Sequence, residues 1–162
     1  IGLHKGPVIM GIVGNEKRME ITISSDTVNT ASRVEGLTKY FGANILLSKM
    51  VAKDLKEPQL QKVRHLGKVK VKGKLKTLEL LECFAGDPTE INTKKSAHLE
   101  LFKIGQNHYF EGDFAKAISV FQQICQDNPN DLPAQWHLKK AHYYQESGVP
   151  DDWSGIEEMN MK

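Results

Sequence analysis

Apolar and polar residues alternate from Met19 to Ser24, with Met19, Ile21 and Ile23 on one side and Glu20, Thr22 and Ser24 on the other. That period of two predicts a half-buried strand. The period then changes. Val28, Ala31, Val34, Leu37 and Phe41 recur at helical spacing, with Ser25 or Asp26 placed to cap the first turn and Gly42 to close the last. Upstream, apolar runs between Ile1 and Gly14 flank a Gly6-Pro7 break and predict strand, turn and strand. Downstream, the short apolar run 43–48 predicts a buried strand, and Ser48 is placed to cap a helix reaching about Leu55. From Leu60 to Phe84 the pattern is mostly strand. In Lys68-Val69-Lys70-Val71-Lys72 the lysines alternate with valines, which gives one apolar and one strongly basic face. The turn cluster Gly86-Asp87-Pro88-Thr89 and the polar run Glu90 to Ser96 mark a boundary, after which the spacing is helical. The organisation expected is an α+β unit over 1–86, a linker over 87–96 and a helical segment with a tail over 97–162.

Composition narrows this picture. At 162 residues and 40% hydrophobic content the chain can bury one core and a smaller second one. No apolar run approaches the ~20 residues of a membrane span, and no signal peptide opens the chain, so this segment is expected to be cytoplasmic and to make no membrane contact. Cys83 and Cys125 form no CxxC pair, which favours two buried thiols over a disulfide or a metal site. The six histidines show no zinc-binding spacing. Net charge is only +2, but it is divided: the first 84 residues carry 15 Lys+Arg against 8 Asp+Glu, and the remainder 7 against 12. A basic first segment suits a polyphosphate ligand, whereas the lack of interleaved aromatics argues against a nucleic-acid surface. A Walker A loop is excluded, because Gly67 and Gly73 have the wrong spacing and Lys74 is followed by Leu75.

Asn29 and Arg33 lie four apart on the predicted helix, so they share a face near its N-terminus, where a phosphate is favoured. The plainer alternative is a solvated Asn and Arg. The surrounding run Ser25-Asp26-Thr27-Val28-Asn29-Thr30-Ala31-Ser32-Arg33-Val34-Glu35-Gly36-Leu37 resembles the GDTVNxASRLEGL segment of bacterial class III adenylate cyclases, with Ser25 where the family has Gly. Ile1 to Gly14 is similar to the strands that precede that signature, and Val69-Lys70-Val71-Lys72-Gly73-Lys74 to the motif that closes the cyclase domain. From Leu101, the positions Leu101, Ile104, Gly105, Gly112, Ala117, Phe121 and Pro129 reproduce the spacing of a tetratricopeptide repeat, and Leu132 to Tyr144 looks like the first helix of another.

These resemblances imply a partial, ferredoxin-like class III nucleotide cyclase domain followed by a tetratricopeptide-like helical hairpin. The reaction implied is conversion of ATP to cyclic AMP and pyrophosphate in signal transduction. In it Asn29 orients the ribose, Arg33 stabilises charge on the α-phosphate, Lys72 holds the leaving phosphates and Thr22 meets the purine. Two Mg²⁺ or Mn²⁺ ions are implied, and the aspartates that hold them in the family are expected upstream, with no metal ligands in this chain. The segment is thus expected to be the C-terminal part of a larger enzyme, membrane-anchored or not, and inactive alone. A second cyclase domain, as a homodimer, is the implied partner, with a further protein partner for the helical segment. Two alternatives stand beside this one: a degenerate cyclase homologue acting as a regulatory scaffold, and a guanylate cyclase, disfavoured because Thr22 is not the Cys typical there.

Overall fold

The computed structural model describes residues 1–15, 18–57, 59–71, 77–150 and 153–159. Strand β3 (Arg18–Ser24) runs into helix α1 (Asp26–Phe41) with only Ser25 between them. Ser25 is extended, and its Oγ accepts the Val28 N–H at 3.1 Å, which satisfies one of the orphan donors of the first turn. Gly42 ends the helix at φ 70°, a left-handed conformation open to glycine at little cost. Val34, Leu37 and Phe41 are buried, while Val28, at the start of the predicted stripe, is 44% exposed.

Strand β2 (Ile9–Asn15) pairs antiparallel with β3 from Ile9↔Ser24 to Asn15↔Arg18 and forms a separate two-stranded ribbon. The expectation of a half-buried strand is corrected here. Ile9, Met10, Ile12, Val13, Met19, Ile21 and Ile23 are all exposed, because no other layer of the described chain covers either face of the ribbon. A period of two reports which residues share a face, not whether anything lies against it.

The main sheet is mixed, in the order β1 (Gly2–Leu3), β4 (Leu46–Ser48), β6 (Leu78–Cys83), β5 (Val63–Val71), β7 (Ile156–Met159). The outer pairs β1–β4 and β5–β7 are parallel, and the inner pairs are antiparallel. Helix α1 lies so close to β1 that a Cβ on Gly2 would sit 2.1 Å from the Glu35 backbone nitrogen. On β5, Val69 is buried while Lys68 and Lys70 are exposed, as the alternation predicts. The predicted helix after Ser48 is a single turn, α2 (Lys49–Ala52).

Residues 87–96, expected as a linker, are mostly taken up by helix α3 (Thr89–Ala97). It is followed by α4 (Leu99–Glu111), α5 (Phe114–Asp127) and α6 (Leu132–Ser147). Asp113 caps α5 and Asp131 caps α6 through their side chains. The helices and the sheet share one core: Leu66, Val69 and Leu80 from the strands cluster with Phe102, Tyr109, Ala117, Phe121 and Ile124. Each fully buried aromatic or leucine among these contributes about 2–3 kcal/mol. Leu132 of α6 sits over Gly42, and the Trp136 ring lies 4.6 Å from that of Phe41, so α6 also closes the end of α1.

Buried polar ties add to this joint. Arg64 on β5 is buried; its Nε donates to Glu82 at 2.6 Å and its two terminal nitrogens to the carboxylate of Asp131 at 2.7 and 2.5 Å. Lys95 of α3 completes the cluster by donating to Glu82 and Asp87, both at 2.6 Å. The His137 ring of α6 contacts the Leu66 carbonyl at 3.0 Å. Finally, Glu157 on β7 accepts from Tyr109 at 2.5 Å, Lys140 at 2.8 Å and Tyr144 at 3.2 Å. Burial, and then the adjacent Glu157 charge, push the Tyr109 phenol far above its ordinary value. Burial works against the Lys140 ammonium, but Glu157 outweighs it and holds that group high. Cys83 and Cys125 are free thiols, and both are partly buried where buried thiols were expected.

Candidate active site

Asn29 and Arg33 both lie on α1, Asn29 exposed and Arg33 half-buried. Thr22 is exposed on β3, directly opposite Gly11 in the ladder. Because β3 passes into α1 through a single capping residue, Thr22, Asn29 and Arg33 belong to one continuous strand-cap-helix unit. The sequence placed the anion-favouring end of the helix beside Asn29 and Arg33; the structure sharpens that. The Val28 N–H is already taken by Ser25, and Asp26 adds a negative charge to the first turn. Arg33 stands seven residues into the helix, roughly 10 Å from its start at 1.5 Å per residue. The helix dipole fades within its first turn, so charge on a bound phosphate would be met by the Arg33 guanidinium rather than by the helix end.

Lys72 lies outside the described residues. The strand that leads to it, β5, ends at Val71 and is separated from β4 by β6. With neighbouring strands about 4.8 Å apart, β5 is about 10 Å across the sheet from β4, against which α1 packs. Among the described residues, Thr22, Asn29 and Arg33 lie along one strand-cap-helix unit, and the β5 lysines Lys68 and Lys70 lie in the main sheet, two strands away from β4. No group of three or more His, Cys, Asp or Glu among the described residues could hold a metal ion, so these residues do not fit the two-metal site that the resemblance implies. No helix among them is long and apolar enough to cross a membrane.

Residues 1–84, from β1 through β6 and the residue after it, match the Adenylate and Guanylate cyclase catalytic domain family. The chain belongs to that family. Among known cyclases, it is 46% identical over 83 residues to an adenylate cyclase of Anabaena cylindrica, covering 51% of this chain and 16% of that protein. It is 31% identical over 142 residues to the terminal-differentiation-specific adenylate cyclase of Dictyostelium discoideum, covering 87% of this chain and 7% of that protein. It is also 36% identical over 99 residues to the soluble guanylate cyclase subunit beta-2 of Rattus norvegicus, covering 60% of this chain and 14% of that protein. The chain thus spans a small fraction of each of these cyclases. The Dictyostelium alignment is too long to be confined to residues 1–84, so the likeness extends into the helices beyond the cyclase match.

Sequence reasoning missed Arg64, Glu82, Lys95 and Asp131, the charged groups that tie the cyclase strands to the helices. Nothing in their local spacing distinguishes them from solvated charges, because Arg64 and Asp131 are 67 residues apart.

Proposed function

We propose that this chain is a working part of an adenylate cyclase, supplying the purine, ribose and α-phosphate contacts through Thr22, Asn29 and Arg33 and the leaving-phosphate contact through Lys72. The observation that carries the reading is the cyclase-family match over residues 1–84, with Asn29 and Arg33 presented four apart on a well-capped helix that grows directly out of the Thr22 strand. In the reaction the ribose 3′-hydroxyl oxygen forms a bond to the α-phosphorus in line with the departing pyrophosphate, the bond from the α-phosphorus to the bridging oxygen breaks with its electron pair leaving on pyrophosphate, and the hydroxyl proton passes to solvent. Phosphoryl transfer of this kind rests on positioning and on stabilising charge at the phosphate oxygens, which is what a fixed Arg and an Asn beside the ribose provide. Mg²⁺ or Mn²⁺ would neutralise phosphate charge when bound, from ligands outside the residues described here. A longer protein containing this chain, paired with a second cyclase domain, is the unit to which we assign the activity.

We further read α4 and α5 as a tetratricopeptide-like hairpin. Gly105 supports this: a Cβ there would lie 3.0 Å from both Phe121 and Val120, so the small residue permits the close approach of the two helices. A protein partner for this segment belongs to the same reading.

The test is an assay of cyclic nucleotide formation from ATP and from GTP with Mg²⁺ or Mn²⁺. The longer protein should form cyclic AMP from ATP faster than cyclic GMP from GTP. The 162-residue chain by itself should give no product above a no-protein blank. Turnover by the isolated chain would show that our assignment of the metal ligands is wrong. A longer protein that makes no cyclic nucleotide would favour the scaffold, and one that prefers GTP a guanylate cyclase.

A further inference from the structure

The segment between β1 and β2 is held at several points. The His4 ring contacts the Ser48 hydroxyl at 2.8 Å, and the Lys5 ammonium reaches Asp54 at 2.5 Å. At its far end the Thr27 hydroxyl, in the first turn of α1, donates to the Pro7 carbonyl at 2.6 Å. Gly6 makes room for this contact, since a Cβ there would lie 2.6 Å from the Thr27 Oγ1. The bond lies at the root of the β2–β3 ribbon, whose last pair on that side is Ile9↔Ser24. One strand of the ribbon is tied to α1 covalently through Ser25, and the other is tied to it by Thr27.

A two-stranded ribbon with both faces exposed has no packed layer of its own to set its direction, so its angle to α1 depends on such ties at the root. We propose that Thr27 is a positioning residue for the nucleotide site: by clamping Pro7 to the first turn of α1, it fixes where Thr22 on the ribbon stands relative to Asn29 and Arg33 on the helix. This rests on the nucleotide reading given above. With the clamp in place, a purine held by Thr22 and a ribose held by Asn29 are presented together. Without it, either contact can form at the expense of the other, and the attacking hydroxyl is misaligned.

The test uses the longer protein with Thr27→Val, which is close in shape and lacks the hydroxyl, Thr27→Ser, which restores it, and Gly6→Ala, which crowds it. Misplacement of a reacting group by about 1 Å can cost up to about 100-fold in rate. Thr27→Val is therefore expected to lower kcat for ATP by about ten-fold and to narrow the preference for ATP over GTP, while KM and the thermal midpoint change little. Thr27→Ser should recover most of both losses, and Gly6→Ala should reproduce the valine phenotype. Unchanged kcat and unchanged purine preference in Thr27→Val, or a serine variant no better than valine, would overturn the clamp. Asn29→Ala serves as the control for the underlying reading. If it lowers kcat while Thr27→Val does not, the clamp alone is wrong; if it leaves kcat intact, the nucleotide site itself is misassigned and the clamp falls with it.

Discussion

Arg33→Ala in the longer protein is expected to lower kcat for cyclic AMP formation by about 10²- to 10³-fold, with little change in the apparent affinity for ATP. The asymmetry follows from where charge develops. On the proposed assignment the ground-state nucleotide is held through its purine, ribose and terminal phosphates, so loss of one α-phosphate contact should cost little binding. As the 3′-oxygen approaches, negative charge grows on the α-phosphate oxygens, and a guanidinium beside them stabilises the transition state more than the substrate. Arg33 is suited to this because its half-buried position on α1 restrains the side chain, and because the capped helix end offers little competing positive charge. Steady-state kinetics with ATP decide the matter. A variant with unchanged kcat would remove Arg33 from the mechanism, and one with unchanged kcat but a much raised KM would reduce its role to ground-state binding. Arg33→Lys should recover only part of the rate, since an ammonium lacks the planar, two-pronged geometry of a guanidinium.

Helix α1 and its surroundings were legible in the sequence because several independent signals agree there. The change of period at Val28, a capping Ser25 and a closing Gly42 each have a local cause, and the structure places all three as read. The placement of Thr22 on a strand and of Asn29 and Arg33 four apart on one helix was legible for the same reason, whereas the angle between that strand and that helix was not. What was not legible depends on partners far away. Strand β7 is the short, acidic stretch Ile156-Glu157-Glu158-Met159, with little to mark it as a strand; it forms because the open edge of β5 offers it a ladder and Tyr109, Tyr144 and Lys140 receive Glu157. The exposure of the β2–β3 ribbon was equally hidden, since alternation looks the same on a covered and an uncovered strand. The helical spacing from Leu101 through Ile104, Ala117 and Phe121 was legible, but the partner of those helices was not: Ile104 is 45% exposed, whereas Phe121 and Ile124 are buried in one core with Leu66, Val69 and Leu80 of the sheet. The most specific component of that attachment, the Arg64 cluster, left no local signal.

That cluster supplies the largest stability effect expected in this chain. Asp131 receives two hydrogen bonds from Arg64 and also accepts the Ala134 N–H as the cap of α6, and it is completely buried. Asp131→Ala removes the cap and leaves the buried guanidinium paired only with Glu82, which itself is shared with Lys95. Breaking a buried ion pair from one side costs about 3–5 kcal/mol and losing a cap about 1 kcal/mol, a large part of the 5–15 kcal/mol that typically holds a domain together. Asp131→Asn keeps an oxygen for the cap but not the charge, so it should fall between the two. By contrast, Lys5→Ala breaks the exposed Lys5–Asp54 pair and should cost less than about 1 kcal/mol. Urea unfolding of the 162-residue chain separates these outcomes, and an Asp131→Ala variant within about 1 kcal/mol of the parent would show that the cluster does not hold the helices to the sheet. Acid provides a second check. Burial alone would raise the Asp131 carboxyl, but the hydrogen bonds and charge of Arg64 outweigh it and hold it below its ordinary value. Its contribution to stability is therefore complete above the unfolded-state value and is lost as pH falls through the lower folded-state value. The Asp131→Asn variant should lack that part of the acid transition, and the two unfolding curves should converge as the solution becomes strongly acidic.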